Sequence, residues 1–384
     1  MKNFKRVFII VLDSFGIGYQ PDAERFGDVG ANTLLRIFGS SEFNIPTLIS
    51  LGFGNIDGID YLPKENLSAR VARLREVSAG KDTTVGHFEL MGAVSEKPFP
   101  TYPKGFPEEI ITEFSKKCGR GVLCNKPYSG TEVIADFGDL HCKTGELIVY
   151  TSADSVFQIA AHEEVVPLPE LYSACRVARD ILIGEHGVAR VIARPFVGES
   201  GAYVRTANRR DFSIKPPKKT ALDAIKQSGL DVIAVGKITD IFAGEGITES
   251  ILTHSNKEGM QVTGELLARD FSGLCFVNLV EFDSHYGHRQ DIDGYARAIS
   301  EFDAWLADFL PALSEDDALM ICADHGCDPG DESTDHTREY VPLLIYGKRI
   351  IPENLGTRIG FYDVGKTCAK MLGAEYDGLG TSLL

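Results

Sequence analysis

The feature that most constrains the fold of this sequence is a series of short, almost uninterrupted apolar runs separated by longer amphipathic stretches. The clearest runs are Val7–Leu12, Leu147–Thr151, Val191–Ala193, Val232–Val235, Leu274–Val280 and Leu319–Ala323. Such runs are typical of parallel strands covered on both faces, because a half-exposed strand would alternate apolar and polar residues. Apolar residues recur at helical spacing over Ile292–Leu313 and Val364–Leu372 and can supply the cover. The pattern predicts an α/β fold with an open, mainly parallel sheet flanked by helices.

Two proline-rich stretches, over residues 95–107 and 211–219, interrupt this alternation. Neither can form a regular helix or a central strand. Because they bracket about 115 residues, they indicate that one domain is inserted into another. We predict a discontinuous core domain over residues 1–98 and 215–384 and an inserted α+β domain over residues 99–214. The length of 384 residues agrees with two domains.

The chain is acidic, with a formal net charge of −16 at pH 7. An excess of carboxylates repels phosphate backbones, so no nucleic-acid partner is expected. A small phosphorylated molecule can still bind to such a chain where a metal ion or a local basic pocket supplies positive charge. The charge therefore favours small-molecule partners.

Neither a membrane segment nor a secretion signal is expected. The first apolar run, Val7–Leu12, is far shorter than the ~18 residues that a spanning helix needs, and Asp13 ends it without a cleavage site. The eight cysteines are scattered and contain no C-x-x-C pair. This pattern is typical of reduced thiols and predicts a cytoplasmic protein.

Acidic residues follow three of the predicted strands. Asp13 follows the first apolar run, and Asp283 and Asp324 follow two later runs. Ligand sites in open α/β sheets lie at the carboxyl ends of the strands, so these side chains are expected to converge. A single aspartate at such a position is more often a helix N-cap or a residue of a solvated turn. Three of them together favour a site.

Histidines accompany these acids and favour a metal site. They are His288, five residues after Asp283, His325, directly after Asp324, and His336. A set of carboxylates and imidazoles without thiolate suits Mn²⁺, Zn²⁺ or Mg²⁺. Three of each are enough for two ions, the usual clamp for in-line phosphoryl displacement. We expect the neighbouring Cys327 to be inert and leave His285 open between a ligand and a surface residue.

A further segment, Ser78–Gly92, places two threonines at the start of a predicted helix. A hydroxyl there is well placed to hold a phosphoryl group, because the helix N-terminus presents free N–H groups and the positive end of the dipole. Taken alone, the segment is explained more simply by Asp82 or Thr83 as an ordinary N-cap. The residues themselves do not separate Thr83 from Thr84.

Taken together, these segments resemble the alkaline phosphatase superfamily. The segments that carry the resemblance are Val11–Gly18, Gly80–Thr83, Phe282–Arg289, Ala323–Gly326 and Gly330–Tyr340. Within that superfamily the chain is similar to the bacterial, metal-dependent phosphopentomutases over essentially its whole length, with further matches at Leu147–Ser155, Ala161–Pro167 and Arg190–Gly198. Two departures are visible, since Glu281 stands where aspartate is expected and Thr84-Val85 stands where Met-Thr is more frequent. Neither removes an expected metal ligand.

The resemblance implies an alkaline phosphatase-like core, an inserted cap domain and a role for each site residue. Asp13, Asp324 and His325 would hold one metal ion, Asp283, His288 and His336 would hold the other, and Thr83 or its phosphate would bridge them. The ions would be two Mn²⁺, with Mg²⁺ or Zn²⁺ less expected. In the cap, Ser152 and Asp154 would contact ribose hydroxyls, while Arg190, Arg205 and Lys237 would contact the distal phosphate. Without the resemblance, the first four of these residues have simpler roles as a helix cap, an ion-pair partner or a solvated residue. Lys237 follows a strand, a position compatible with a site but not diagnostic of one.

The activity implied by the resemblance is the interconversion of ribose or 2-deoxyribose 1-phosphate and 5-phosphate. It would proceed through a phosphothreonine enzyme and a 1,5-bisphosphate intermediate, with a sugar bisphosphate primer to phosphorylate Thr83. A phosphoglycerate mutase-like enzyme or a metal-dependent phosphatase would use the same metals with a different cap. A non-catalytic metal-binding or phosphosugar-binding protein would require a defect in the ligand set, and none is visible. The oligomeric state is left open, and a monomer is compatible with the sequence.

Overall fold

The computed structural model describes residues 3–152 and 154–384, which form two compact units. The core unit consists of Met1–Lys97 and Pro216–Leu384, and the inserted unit consists of Pro98–Lys215. Within the described residues, no helix has both the length and the apolar character needed to cross a membrane.

The core unit is built around an eight-stranded sheet. Its strands are β1 (Arg6–Leu12), β2 (Arg70–Arg75), β9 (Asp231–Val235), β10 (Glu249–Ile251), β11 (Gly273–Leu279), β12 (Asp317–Cys322), β13 (Val341–Tyr346) and β14 (Glu353–Ile359). Its helices are α1 (Thr33–Phe38), α2 (Pro46–Leu51), α3 (Thr83–Leu90), α7 (Ala221–Gln227), α8 (Ile238–Ile241), α9 (Asn256–Ala268), α10 (Ile292–Ala312) and α11 (Asp363–Leu372). A six-residue π-helix, Phe282–Gly287, follows β11.

The strands of the core sheet follow the order β10-β9-β11-β1-β12-β13-β2-β14. The five strands from β10 to β12 are mutually parallel, while β13 is antiparallel to both β12 and β2. Strands β1, β11 and β12 are buried along their whole length, as their continuous apolar sequence requires. The predicted mainly parallel sheet is therefore confirmed.

Helix and strand bounds agree with the sequence pattern where the apolar signal is long. The predicted helix Ile292–Leu313 is observed as Ile292–Ala312, and the run Val7–Leu12 gains only Arg6. The antiparallel strands β13 and β2 were not among the predicted strands. Edge strand β14 is largely exposed, and its pairing with β2 shifts register between Asn354 and Thr357. Its sequence therefore shows neither a continuous apolar run nor a regular alternation.

The inserted unit has a mixed six-stranded sheet with helices on both faces. Its strands are β3 (Val122–Pro127), β4 (Leu147–Thr151), β5 (Val156–His162), β6 (Arg190–Val197), β7 (Val204–Arg205) and β8 (Arg210–Ser213), and its helices are α4 (Glu108–Cys118), α5 (Glu132–Thr144) and α6 (Leu168–Ile181). The order is β3-β4-β5-β6-β7, and β8 also pairs with β6. Helices α4 and α6 bury one face of the sheet, where Leu147 and Val149 point. Helix α5 covers the other, where Ile148 and Tyr150 point.

Candidate active site

The three predicted acids lie where neighbouring parallel strands of the core sheet end. Leu12 pairs with Leu279 of β11, and Val11 pairs with Cys322 of β12, so the carboxyl ends of these strands are level. Asp13 follows Leu12 directly, whereas Asp283 and Asp324 lie a few residues beyond β11 and β12. Parallel pairing thus brings residues that are far apart in the sequence to one edge, as expected.

Asp13, Asp324 and His325 form the first ligand cluster. His325 Nε2 lies 3.3 Å from Asp13 Oδ1 and 3.2 Å from Asp324 Oδ2, and all three side chains are at most 1% exposed. His325 Nδ1 bonds to the carbonyl of Gly326 at 3.0 Å. Because a carbonyl only accepts, Nδ1 carries the proton and Nε2 is turned toward the carboxylates.

Asp283 belongs to two further sets of candidate ligand atoms, one with His325 and His336 and the other with His288 and Cys327, so His325 adjoins both predicted metal sites. The predicted ligands Asp283, His288 and His336 are called the second cluster here. His288 Nε2 lies 3.2 Å from Asp283 Oδ2, and His336 Nε2 lies 3.4 Å from Asp283 Oδ1. The five-residue spacing between Asp283 and His288 matches the π-helix, whose i→i+5 bond joins His288 N–H to the Asp283 carbonyl at 3.0 Å. His288 Nδ1 donates to the Thr334 carbonyl at 2.6 Å, which turns Nε2 inward.

Buried polar atoms without hydrogen-bond partners point into both clusters. Within the described residues they include Asp13 Oδ1, Asp324 Oδ2, Asp283 Oδ1 and His336 Nε2. Burial of such atoms costs free energy unless a ligand bonds to them. Carboxylate oxygens and imidazole nitrogens are the donor set that hard and borderline divalent cations take, so the residues present fit metal ions.

The electrostatics of the clusters show why they need positive charge. Burial and the neighbouring Asp324 raise the pKa of Asp13. Burial also opposes charge on Asp283, yet His336 and His288 hold its pKa well below the usual range. Asp283 in turn raises the pKa of His288 to about 9 against the effect of burial. The protonated His288 imidazole therefore stands in for part of the charge that cations would supply.

Thr83 lies at the start of α3, where its hydroxyl contacts the first cluster. Thr83 Oγ1 is 3.1 Å from His325 Nε2. The N-cap of the helix is Asp82, whose carboxylate accepts the N–H groups of Thr84 and Val85 at 3.0 and 3.2 Å. Asp82 thus takes the capping role, and the Thr83 hydroxyl is left for the site.

The loop before Thr83 is held by charged residues that sequence analysis did not single out. Arg338, which is 2% exposed, donates to the Gly80 carbonyl at 2.8 Å and to Glu76 Oε2 at 2.6 Å. Lys81 Nζ lies 3.0 Å from both oxygens of Asp28, which also accepts the Arg338 backbone N–H. Arg338 follows His336 by two residues, so this network ties the loop before Thr83 to the segment that carries His336, a predicted ligand.

Cys327 lies beside the second cluster, as its place in the sequence predicts. Its sulfur belongs to a set with Asp283 and His288 in which all candidate ligand atoms lie within 4.8 Å of one another. The Cys327 thiol donates to the Asp335 carbonyl, with 3.6 Å between sulfur and oxygen. Burial raises the pKa of this thiol well above its usual value. The thiol form is a poor ligand for hard cations, so its position alone does not make it one.

The predicted sugar-binding residues lie at one end of the inserted sheet. Ser152 follows β4 and lines a pocket of ≈ 750 Å³ with Tyr128 and Asp136. Asp154 is exposed, and its carbonyl accepts the Val156 N–H at 3.0 Å. Ala153, between the two predicted residues, is outside the described part of the chain.

The backbones of Arg190 and Arg205 lie at opposite ends of β6. Arg190 opens β6, whereas Arg205 pairs with Phe196 near the other end of that strand. Six residues of strand separate the two levels by about 20 Å. Arg190 lies 3.8 Å from Asp211, and Arg205 lines a pocket of ≈ 460 Å³.

Sequence analysis missed two arginines in the Arg205 pocket. Arg194 of β6 and Arg209 line the same pocket as Arg205. Arg194 donates to Gln158 Oε1 at 3.0 Å, and burial together with the charge of Arg209 lowers its pKa. The alternation of Arg190, Ile192, Arg194 and Phe196 on one face of β6 is the signal that could have found Arg194. The last predicted phosphate contact, Lys237, is at the carboxyl end of β9 in the core unit.

Comparison with known proteins gives the family. A model described as the Metalloenzyme superfamily matches residues 5–376. A phosphopentomutase from Lachnoclostridium phytofermentans is 56% identical over 364 residues, 94% of this chain and 93% of that protein. A phosphopentomutase from Acetivibrio thermocellus is 56% identical over 383 residues, 99% of each. The chain belongs to the phosphopentomutase family.

Membership in the phosphopentomutase family confirms the resemblance and, with it, the predicted enzyme class, an intramolecular phosphotransferase. The superfamily match implies metal dependence, which agrees with the two ligand clusters. A solved structure of phosphoglycerate mutase from Leishmania mexicana at low cobalt concentration has a TM-score of 0.51 and 14% identity, covering 99% of this chain and 98% of that one. At that identity the similarity shows the fold alone, and it confirms the predicted α/β class. The metal identity and the roles of individual residues stay predictions.

Proposed function

We propose that this protein interconverts ribose or 2-deoxyribose 1-phosphate and 5-phosphate through a phosphothreonine at residue 83 and a 1,5-bisphosphate intermediate. The observation that carries the proposal is the position of the Thr83 hydroxyl. Thr83 Oγ1 lies 3.1 Å from Nε2 of His325, which belongs to a cluster of buried acids and imidazoles. Relatives that are 56% identical and named phosphopentomutase support the substrate class.

The proposed cofactors are two Mn²⁺ ions. Asp13, Asp324 and His325 would hold one ion, and Asp283, His288 and His336 would hold the other. Bound divalent ions would supply neutralising charge for phosphoryl oxygens and lower the pKa of a hydroxyl. The unpartnered carboxylate oxygens support this assignment, because they lose hydration in the fold without gaining a hydrogen bond.

Thr83 would be the phosphoryl carrier. In the proposed reaction the oxygen of a sugar hydroxyl forms a bond to phosphorus, and the bond between phosphorus and Thr83 Oγ1 breaks. The sugar hydroxyl loses its proton, and Thr83 Oγ1 gains one. The 1,5-bisphosphate then returns its other phosphoryl group to Thr83, which restores the starting enzyme. A sugar bisphosphate primer would load Thr83 at the outset. The tie of the preceding loop to Arg338 supports this role, since in-line transfer demands a fixed nucleophile.

The residues proposed to recognise the pentose phosphate are those of the inserted unit, with Lys237 of the core unit. Ser152 and Asp154 would contact sugar hydroxyls, and Arg190, Arg205 and Lys237 would contact the distal phosphate. Of the arginines, Arg205 has the better support, because Arg194 and Arg209 line its pocket and add positive charge. Asp211 lies 3.8 Å from Arg190 and 2.8 Å from Arg209, so it connects Arg190 to the pocket that Arg205 lines.

We also propose a reducing compartment such as the cytoplasm. All eight cysteines are free thiols, five of them buried. Since no bond depends on their oxidation, the fold suits a compartment that keeps thiols reduced.

The test is an assay of ribose 5-phosphate formation from ribose 1-phosphate with Mn²⁺ and a catalytic amount of ribose 1,5-bisphosphate. The proposal expects turnover that needs both additions, with little release of inorganic phosphate. Release of phosphate at the rate of substrate loss would instead identify a phosphatase. Turnover of phosphoglycerate in preference to pentose phosphate would identify a phosphoglycerate mutase.

A further inference from the structure

Beneath the first ligand cluster lies a buried pair of polar residues with no role assigned so far. Asn278 is in β11 and His87 is in α3, and they are 1% and 0% exposed. Their side chains meet at 3.4 Å, between Asn278 Nδ2 and His87 Nε2. Polar side chains this deep are retained where their hydrogen bonds fix something.

Asn278 contacts the carboxylate of the first cluster directly. Its Nδ2 donates to Asp13 Oδ2 at 2.7 Å. An ionised carboxylate only accepts, so the amide must present nitrogen and not oxygen to Asp13. The amide Oδ1 then has no partner among the described residues. This unfavourable arrangement indicates that the amide is held for its two donated protons.

His87 contacts the other side of the same cluster. Its Nδ1 bonds to the Thr83 carbonyl at 2.8 Å and lies 3.0 Å from Asp324 Oδ2. The Thr83 carbonyl only accepts, so Nδ1 carries the proton and donates it there, while Asp324 Oδ2 lies in close contact with the ring without a hydrogen bond. Its Nε2 faces the second N–H of the Asn278 amide and can accept it. One amide thus serves Asp13 with one proton and orients His87 with the other.

We propose that Asn278 and His87 are paired positioning residues that fix the carboxylates of the first cluster and the backbone at Thr83. The chain of contacts runs from Asp13 through the amide and the imidazole to Asp324 and the nucleophile's carbonyl. Outer hydrogen-bond partners orient metal ligands and often matter 10–100-fold for metal affinity. The proposal rests on the metal sites of the proposed function but not on its substrate.

The test is Mn²⁺ binding to the substrate-free protein by calorimetry, beside the melting temperature of the metal-free protein. Asn278→Leu removes both donors at similar volume, and Asn278→Thr keeps one. We expect 10–100-fold weaker binding at one of two sites for Asn278→Leu, a smaller loss for Asn278→Thr, and no change at the other site. His87→Asn, which retains an N–H near the Nδ1 position, should lose less affinity than His87→Leu.

The matched control is Thr263→Val in α9, which removes a buried hydrogen bond from the Thr263 hydroxyl to the Gly259 carbonyl of the same helix. It should leave both Mn²⁺ affinities unchanged. A double variant, Asn278→Leu with His87→Leu, should lose little more than the worse single variant if the two act as a unit. Additive losses would overturn the pairing.

Two further outcomes separate the possible failures. A lower metal-free melting temperature in Asn278→Thr with both Mn²⁺ affinities within twofold of wild type would make the pair merely structural and overturn the proposal. In a second outcome, the wild-type protein binds two Mn²⁺ ions and the variants lose affinity as expected, but the wild-type protein does not turn over pentose phosphate. That outcome would support the positioning role and reject the proposed function. Absence of Mn²⁺ binding to the wild type would reject both.

Discussion

The two units place their polar residues in opposite ways. In the core unit, the predicted acids and imidazoles converge at the ends of adjacent parallel strands and are largely buried, with Asp13, Asp324 and His325 at most 1% exposed. In the inserted unit, the predicted substrate residues are spread over the sheet, and Asp154 and Arg205 are exposed. Strand register fixes the former set, whereas the latter depends on local loops and one short hairpin.

This difference follows from what each set would bind. Metal ions need several charged ligands within a few ångströms, which only a rigid and desolvated scaffold can hold. A phosphate ester has to enter and leave, so its cations remain accessible in pockets. We therefore expect changes in the core unit to abolish activity and changes in the inserted unit to reduce selectivity.

The largest effect is expected from Thr83→Ala. Without the hydroxyl there is no phosphoryl carrier, so mutase turnover should fall by on the order of 10⁴-fold or more. Mass spectrometry of wild-type peptides after primer treatment should find the phosphate on Thr83. Thr84→Val is the control and should keep the label and most of the activity. Full activity in Thr83→Ala, or label on Thr84 alone, would reject the assignment.

Next in size are His288→Ala and His336→Ala, each of which should lose one metal ion and nearly all activity. Removal of an imidazole weakens binding of the ion and leaves Asp283 without its charge partner. Metal analysis of the purified variants provides the measurement. His162→Ala, which removes a buried bond to the Gly198 carbonyl in the inserted unit, should keep both ions. Two retained ions with normal turnover in either core variant would contradict the ligand assignment.

A moderate and selective effect is expected from Arg205→Ala. Loss of one charge-assisted phosphate contact, worth ~1.5–3 kcal/mol, should lower kcat/KM for ribose 1-phosphate by a factor on the order of 10–100. A small generic phosphate ester, which lacks the distal phosphate, should be nearly unaffected. Arg176→Ala changes an exposed arginine of α6 on the opposite face of the sheet and serves as control. Equal losses on both substrates would place Arg205 in the scaffold, and no loss would leave it a solvated residue.

The smallest effect concerns pH and the stability of the metal-free protein. The folded-state pKa of His288 is raised to about 9, so its protonated form stabilises the fold. That contribution is complete below pH 6.5 and is lost as pH rises through 9. The melting temperature of metal-free protein should therefore fall by a few degrees between pH 7 and pH 10. The fall should be smaller in His288→Ala.

A histidine of the inserted unit should change stability with pH in the opposite direction. Burial lowers the pKa of His141, whose contribution to stability is present above pH 6.5 and is lost as pH falls below it. His141→Gln should therefore change the acid side of the melting curve and leave the alkaline side alone.

For His288, an equal fall in melting temperature between pH 7 and pH 10 in wild type and in His288→Ala would contradict the prediction. It would show that another group dominates the alkaline loss of stability.

The contrast between the units also explains how far the sequence could be interpreted. Parallel strands carry long apolar runs, so β1, β11 and β12 and the acids behind them were predictable from pattern alone. Antiparallel strands such as β2 have weaker signals, because one of their faces is partly exposed. Their existence depends on partners that lie far away in the sequence.

Within the candidate site, single residues at strand ends were easier to predict than contacts between elements. The i,i+5 spacing of Asp283 and His288 became meaningful only with the π-helix, which no propensity signals. Arg338, Asn278 and His87 act through hydrogen bonds to backbone or to other side chains. Tertiary structure alone creates such contacts, so no local pattern could have identified them.

The measurement that tests the central claim most directly is anomalous diffraction at the manganese edge from crystals grown with Mn²⁺. The account predicts two peaks roughly 3.5–4 Å apart, one against Asp13, Asp324 and His325 and the other against Asp283, His288 and His336, with Thr83 Oγ1 beside them. A single peak, or peaks away from these side chains, would contradict it.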